Sequence, residues 1–428
     1  EQVLEQDAPT AEAMLFHGMA QFRLGKHADA TETWKKLQND FPKNPLAWKA
    51  AAEAEGFGPF VRGFEVYTPL DVDYSSQEIA KGTSAISGTF TESQLWNRGL
   101  SFILGMQGED GSFRDSDYDF GGTDSLPNVH VAVTSIAGMA LCRSVKEKRL
   151  PESFQQRQWS AIYRAAKFVA DMKNINRADR DEILWAYAYR LRFLLEVENL
   201  LMDVPKVDDQ FSTWLRPQIQ SAVETLEQVQ SKRGSWYHEY NNPFVTATAL
   251  ISLKRATESG YQVDQARIER GLISLQGDRM ANGAYPYSTR ANAPPNPGTQ
   301  RDIAASAGRM PLCELGLFCW QKSSEADLTE AIEKSLGLQE NLNVALKYDD
   351  HTSSLAYGGF FFWYDMRARS EAIKSLTQNE TVARFQKQQK DIILSLPEID
   401  GCFVDSHEIG RVYGTAMALI CLSDCRVR

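Results

Sequence analysis

Three carboxylates fall within four residues at Asp179-Arg-Asp181-Glu182. Crowded carboxylates raise one another's pKa, so one of them can hold a proton at neutral pH. That proton is the raw material of acid chemistry. The apolar run that follows carries Trp185, Tyr187 and Tyr189, and Trp363 and Tyr364 lie farther along. Aromatic faces attract cations, so these rings are candidate contacts for a ligand. A structural explanation competes: acids at a helix start complement the helix dipole.

Histidines form a second candidate set. His130, His238, His351 and His407 lie in loops or at segment starts beside Asp117, Asp119, Asp124, Glu239, Asp349, Asp350, Asp405 and Glu408. Such a set offers acid–base chemistry or ligand binding once a fold gathers it. No local spacing matches a metal-ligand pattern, so neither a metal nor a cofactor is expected. Polar loops meeting solvent are the alternative.

The elements that would position these residues repeat. Gln107-Gly-Glu-Asp-Gly-Ser-Phe113 and Gln230-Ser-Lys-Arg-Gly-Ser-Trp236 each close one helical segment and precede another. Gln276–Tyr285 is a longer form, and Asp400-Gly-Cys-Phe403 a truncated one. The glycine permits a positive φ, the aromatic folds back as an apolar plug, and the glutamine is expected to bond carbonyls freed at the helix end. Tyr285 is the plug of the third unit and also a candidate ligand contact.

Amphipathic segments near 92–107, 154–173, 213–230, 264–276, 327–346 and 379–396 alternate with uniformly apolar ones. The apolar partners lie near 129–143, 181–199, 243–256, 303–320, 355–366 and 411–424. A helix apolar on all sides is buried on all sides, so six pairs imply an inner ring within an outer one. Ahead of them, residues 11–55 read as three short helices and 56–90 as an extended linker rich in glycine.

Composition bounds the partners. The chain has 428 residues, a net charge of −10 and 43% hydrophobic residues. This describes a globular protein that does not favour a nucleic-acid backbone. No apolar run reaches membrane-spanning length. Six cysteines without a CxxC pair read as buried free thiols. The chain starts at Glu1, as a trimmed or processed chain does, an exported one included.

Two resemblances sharpen these readings. Gly18, Gly25, Ala30, Trp34 and Pro42 fall in a tetratricopeptide register, and the segment resembles one such repeat followed by a further helix. It would cap the next domain or dock a protein partner. The clamps, each followed by an inner segment such as Val131–Ser135 or Val245–Leu250, resemble the repeat of squalene–hopene cyclases and protein prenyltransferase β-subunits. The resemblance implies an all-α fold, an (α/α)6 toroid over 91–428. In it the loops before the inner helices meet on one rim, bringing His130, His238, Glu239, His351 and His407 together. Asp179–Glu182 resembles the DxDD acid motif of class II terpenoid cyclases, with Glu182 in place of the last aspartate. That resemblance makes Asp181 the catalytic acid, Asp179 and Glu182 its neighbours, and Trp185 and Tyr189 walls for an isoprenoid or other apolar ligand. The Asp-x-Cys zinc motif of prenyltransferases is matched only by Asp302-Ile-Ala304, so zinc chemistry is not expected. The second functional class is a non-catalytic scaffold that docks a partner through its rim and N-terminal helices.

Overall fold

A computed structural model describes residues 9–42, 44–54, 90–118, 125–203, 209–289, 296–343, 345–346, 361–398, 400–406 and 408–426. The expected linker falls almost wholly on 55–89, outside the described residues. His351, His407, Asp119, Asp124, Asp349 and Asp350 also lie outside them. The chain divides into two compact units, Glu1–Tyr67 and Thr68–Arg428. The described secondary structure is helical apart from one short β-hairpin.

In the first unit, α1 (Ala11–Arg23), α2 (His27–Asp40) and α3 (Pro45–Ala54) pack on one another. Their shared core is Met14, Leu15, Ala30, Trp34, Leu37 and Ala50. Trp34 supplies most of its bulk, and its indole N–H donates to the Leu15 carbonyl at 3.2 Å. Thr10 caps α1 by accepting from the Ala13 N–H.

In the second unit, amphipathic and buried helices alternate. The amphipathic ones are α4 (Glu92–Met106), α6 (Gln155–Ala170), α8 (Asp209–Gln228), α10 (Gln265–Asp278), α13 (Glu325–Gly337) and α16 (Asn379–Leu394). The buried ones are α5 (Leu126–Lys146), α7 (Ile183–Asp203), α9 (Pro243–Glu258), α12 (Arg309–Phe318), α15 (Phe362–Lys374) and α17 (Arg411–Asp424). Short helices α11 (Gln300–Ala305) and α14 (Gln339–Asn343) complete the set. Helix α9 buries an unbroken run from Pro243 to Leu253, whereas α6 buries one stripe including Ala161, Ile162, Ala165 and Val169. The buried helices follow one another: α5 packs on α7, α7 on α9, α9 on α12, α12 on α15, α15 on α17, and α17 on α5. Five of the six amphipathic helices pack across successive buried ones, as α10 does on α9 and α12.

One segment differs from its expected span, and another is described only in part. The segment near 303–320 breaks at Ser306–Gly308, and α12 begins at Arg309. Pro311 is the cause, because proline fits a first helical turn but not a helix interior. The segment near 355–366 is described only from Phe361; its helix α15 begins at Phe362, where the Asp405 carboxylate accepts from the N–H groups of Phe362 (3.2 Å) and Trp363 (2.7 Å). Asp405 is therefore a buried helix cap.

The clamps recur almost atom for atom. Gly111 has φ 91° and Gly234 φ 93°. A side chain at either would meet backbone carbonyl oxygen, of Arg164 or Arg270, at 2.4 Å, so only glycine fits. Phe113 and Trp236 are fully buried. Their backbone N–H groups donate to Thr134 (3.0 Å) and Thr246 (3.1 Å) on the following buried helices. The glutamines do not serve the helix ends they follow. Gln107 donates to Gly111 O and to Ala161 O on α6, and Gln230 to Gly234 O and to Arg267 O on α10. Each clamp thus ties one outer helix to the next.

The third clamp corrects the expected register. The Met280 N–H donates to Ala284 O, just as Ser231 does to Ser235 O. The glutamine's seat therefore belongs to Arg279, not Gln276. Arg279 reaches Asp327 on α13 at 3.0 Å and Glu314 at 3.1 Å. At the fourth, Phe403 N–H again meets a threonine, Thr415 at 3.0 Å. Arg98 of α4 donates to Asp400 O, linking the last clamp to the first outer helix.

Candidate functional site

Helix α7 opens where the three carboxylates stand, and its first turn sorts them. Asp179 Oδ1 accepts from the N–H groups of Asp181 (2.9 Å) and Glu182 (3.2 Å). Its Oδ2 accepts from the Asn128 side chain at 2.7 Å. Asp179 is buried and serves as a capping group. Asp181, the expected catalytic acid, is half-buried. Its carbonyl meets His238 Nδ1 at 2.6 Å.

Glu182 is the carboxyl that faces inward. It is 1% exposed, and Tyr118 O–H donates to its Oε1 at 2.9 Å. Burial raises its pKa to about 8 against the lowering effect of the Tyr118 hydrogen bond, with smaller upward pushes from Asp179, Glu239 and Asp181. At neutral pH it is predominantly a neutral acid. The residue that departs from the DxDD pattern is the one with the expected acid's properties. Its extra methylene carries the carboxyl past the cap that Asp179 occupies.

Around Glu182 stand Trp185, Tyr189, Phe361, Tyr364 and Tyr413, which with Tyr118 enclose a small apolar cavity. Its free volume is about 30 Å³, room for one or two water molecules. The Trp185 ring meets Tyr364 and His238 edge-on, both at 5.4 Å between centroids. Phe361 meets Tyr413 at 5.8 Å and Tyr118 at 6.1 Å. A bond of 2.7 Å between Tyr364 and Thr248 hydroxyls fixes one wall.

The remaining candidates divide. His238 is buried with its Nδ1 3.8 Å from Glu182 Oε1, and burial pushes its pKa down. Glu239 is the hairpin apex, at φ 51°, a left-handed conformation that costs a non-glycine residue roughly 1 kcal/mol. His130 is half-buried; burial lowers its pKa, and it bonds the Ser116 backbone two residues from Tyr118. The two described rim candidates, His130 and His238, therefore share one end of the buried helices. Tyr285 stands apart: its hydroxyl donates to Glu314 at 2.8 Å, within the third clamp. Asp302 forms a capping box with Thr299 at the start of α11. Among the described residues, no group of three potential ligands could hold a metal ion. No described helix is long and apolar enough to cross a membrane. All six cysteines are free.

Sequence reasoning missed Tyr118 and Asn128, the partners that sort the carboxylates. Tyr118 had one signal, an aromatic alone among Asp115, Ser116, Asp117 and Asp119. Nothing marked Asn128.

No family model matches this chain, and no curated protein matches it. A solved structure of a mutant of Salmonella alpha-2-macroglobulin aligns with 57% of the chain at 17% identity and a TM-score of 0.35. The aligned part spans 16% of that protein's length. Similarity at this level assigns neither fold nor function.

Proposed function

We propose that residues 91–428 form a single (α/α)6 toroid that works as a non-catalytic scaffold. The N-terminal helices, read as one tetratricopeptide-like repeat and a further helix, would dock a protein partner. The toroid reading rests on six buried helices that pack in a closed cycle, with five of the six amphipathic helices lying across their junctions. The scaffold reading rests on one observation: among the described residues, the aromatic side chains at the end bearing Glu182 leave a cavity of about 30 Å³. An engineered cavity of about 150 Å³ takes up benzene, so an isoprenoid chain needs far more room than this. On the N-terminal unit, Phe16, Phe22 and Leu24 remain exposed, an apolar surface for a partner.

A specific observation favours a second reading. Glu182 is a neutral acid among aromatic rings, the combination that acid-initiated isoprenoid chemistry requires. One experiment separates the two. Farnesol and squalene are incubated with the protein and with Glu182→Gln, and products are resolved by mass spectrometry. The scaffold reading expects both compounds to be recovered unchanged from both proteins. A cyclised product from the parent protein that Glu182→Gln does not make would overturn it and install Glu182 as the acid.

A further inference from the structure

The last turns of the six buried helices surround a different space, an open bowl of about 1030 Å³. Small-molecule sites typically enclose about 300–1,000 Å³, so the bowl has room for a whole metabolite. Its floor is a charged network. Arg143 pairs with Asp424 (2.6 Å) and Glu196 (3.2 Å). Glu371 receives Arg192, Arg255 (2.5 Å) and Arg367 (3.4 Å). Lys374 reaches Asp424 at 2.8 Å. Five cations therefore face three carboxylates, and these carboxylates are ionised. Burial would raise Glu371, Glu196 and Asp424, but the neighbouring cations outweigh it and hold all three below their ordinary values.

Helix C-termini carry partial negative charge, which cations offset. That role does not account for donors left over. Arg192 is 3% exposed and lines the bowl, yet its Nε–H has no hydrogen-bond acceptor. Arg367, which shares Glu371 with it and is 2% exposed, leaves Nε and Nη2 without one behind the lining. A buried N–H without an acceptor costs about 1–3 kcal/mol. Two surplus positive charges, spare guanidinium donors and an open cavity together describe a site that lacks its anion.

We propose that this bowl binds a phosphate-bearing small molecule. A phosphate dianion matches the surplus charge, and its oxygens suit planar guanidinium forks. Arg192 lies at the floor, while Arg255 and Lys374 are open enough to close on the ligand. The site is separate from the filled end, so its test does not depend on the scaffold reading.

The test is calorimetric titration with inorganic phosphate, ionic strength being held constant with chloride. The expected result is saturable binding, with Kd about tenfold weaker in Arg255→Gln and in Lys374→Gln. Arg114→Gln, an exposed change away from the bowl, should bind as the parent does. If Arg255→Gln fails to fold, Lys374→Gln decides, because its side chain is 44% exposed. No saturable heat, equal affinity in the folded bowl variants, or binding of citrate without binding of phosphate would each overturn the proposal.

Discussion

Glu182, just ahead of α7, and Glu371, in α15, are both buried glutamates of the buried helix set, and their surroundings drive them in opposite directions. Glu182, at the N-terminal end, sits among aromatic rings with other carboxylates nearby, and burial lifts its pKa to about 8. Glu371, at the C-terminal end, is equally shut away but touches three guanidinium groups, which hold it well below the ordinary range. Burial alone does not set a charge; the partner does. The spaces follow the same division. Where the acid is neutral, rings close up to about 30 Å³, and where it is ionised the helix ends stand apart around about 1030 Å³. A neutral carboxyl can be packed against apolar atoms, whereas a charged network keeps its water or waits for a counter-ion.

The comparison breaks most readily at Glu371. Glu371→Gln leaves Arg192, Arg255 and Arg367 facing one another without their shared carboxylate. We expect a loss of about 3–5 kcal/mol in urea unfolding. A loss below about 1 kcal/mol would mean that water already screens the network.

Glu182→Gln should act in the other sense, and progressively as pH rises above about 4.5. The folded pKa lies above the ordinary value of 4.5, so the folded state holds a proton that the unfolded chain gives up. That stabilisation is complete below about pH 4.5 and is lost as pH rises through about 8. Glutamine mimics the neutral acid and removes this dependence. Relative to the parent, the variant should gain on the order of 2–4 kcal/mol between pH 5 and pH 9. Parallel stability curves across that range would show that Glu182 is ionised throughout.

Smallest is the effect expected at the outer edge of the bowl. Lys146 pairs with Asp203 at 2.6 Å, but both side chains are more than half exposed. Lys146→Ala should change stability by less than about 1 kcal/mol. A larger loss would bring that edge into the buried network.

Helix alternation was legible because it is local. Phe113 and Trp236 mark their clamps by a glycine two residues earlier, and the unbroken apolar run of α9 shows its burial on all sides. The errors came where distance in sequence hides a partner. Gln276 was read as the third clamp's glutamine because Arg279, which does its work, gains meaning only beside Asp327 on another helix. Asp181 was expected as the acid because motif order does not show which carboxylate caps the helix. Asn128 makes that choice from 51 residues away. The bowl was invisible for the same reason, since Arg192 and Glu371 meet across 179 residues.

The central claim is that Glu182 is a neutral acid packed among aromatic side chains. Infrared difference spectroscopy of the parent protein against Glu182→Gln at pH 6 tests it most directly. The account predicts a protonated carboxyl band that only the parent shows, and that fades as pH passes about 8. A carboxylate signature for Glu182 at pH 6 would contradict it, because an ionised Glu182 requires water or a cation inside the ring of aromatic side chains.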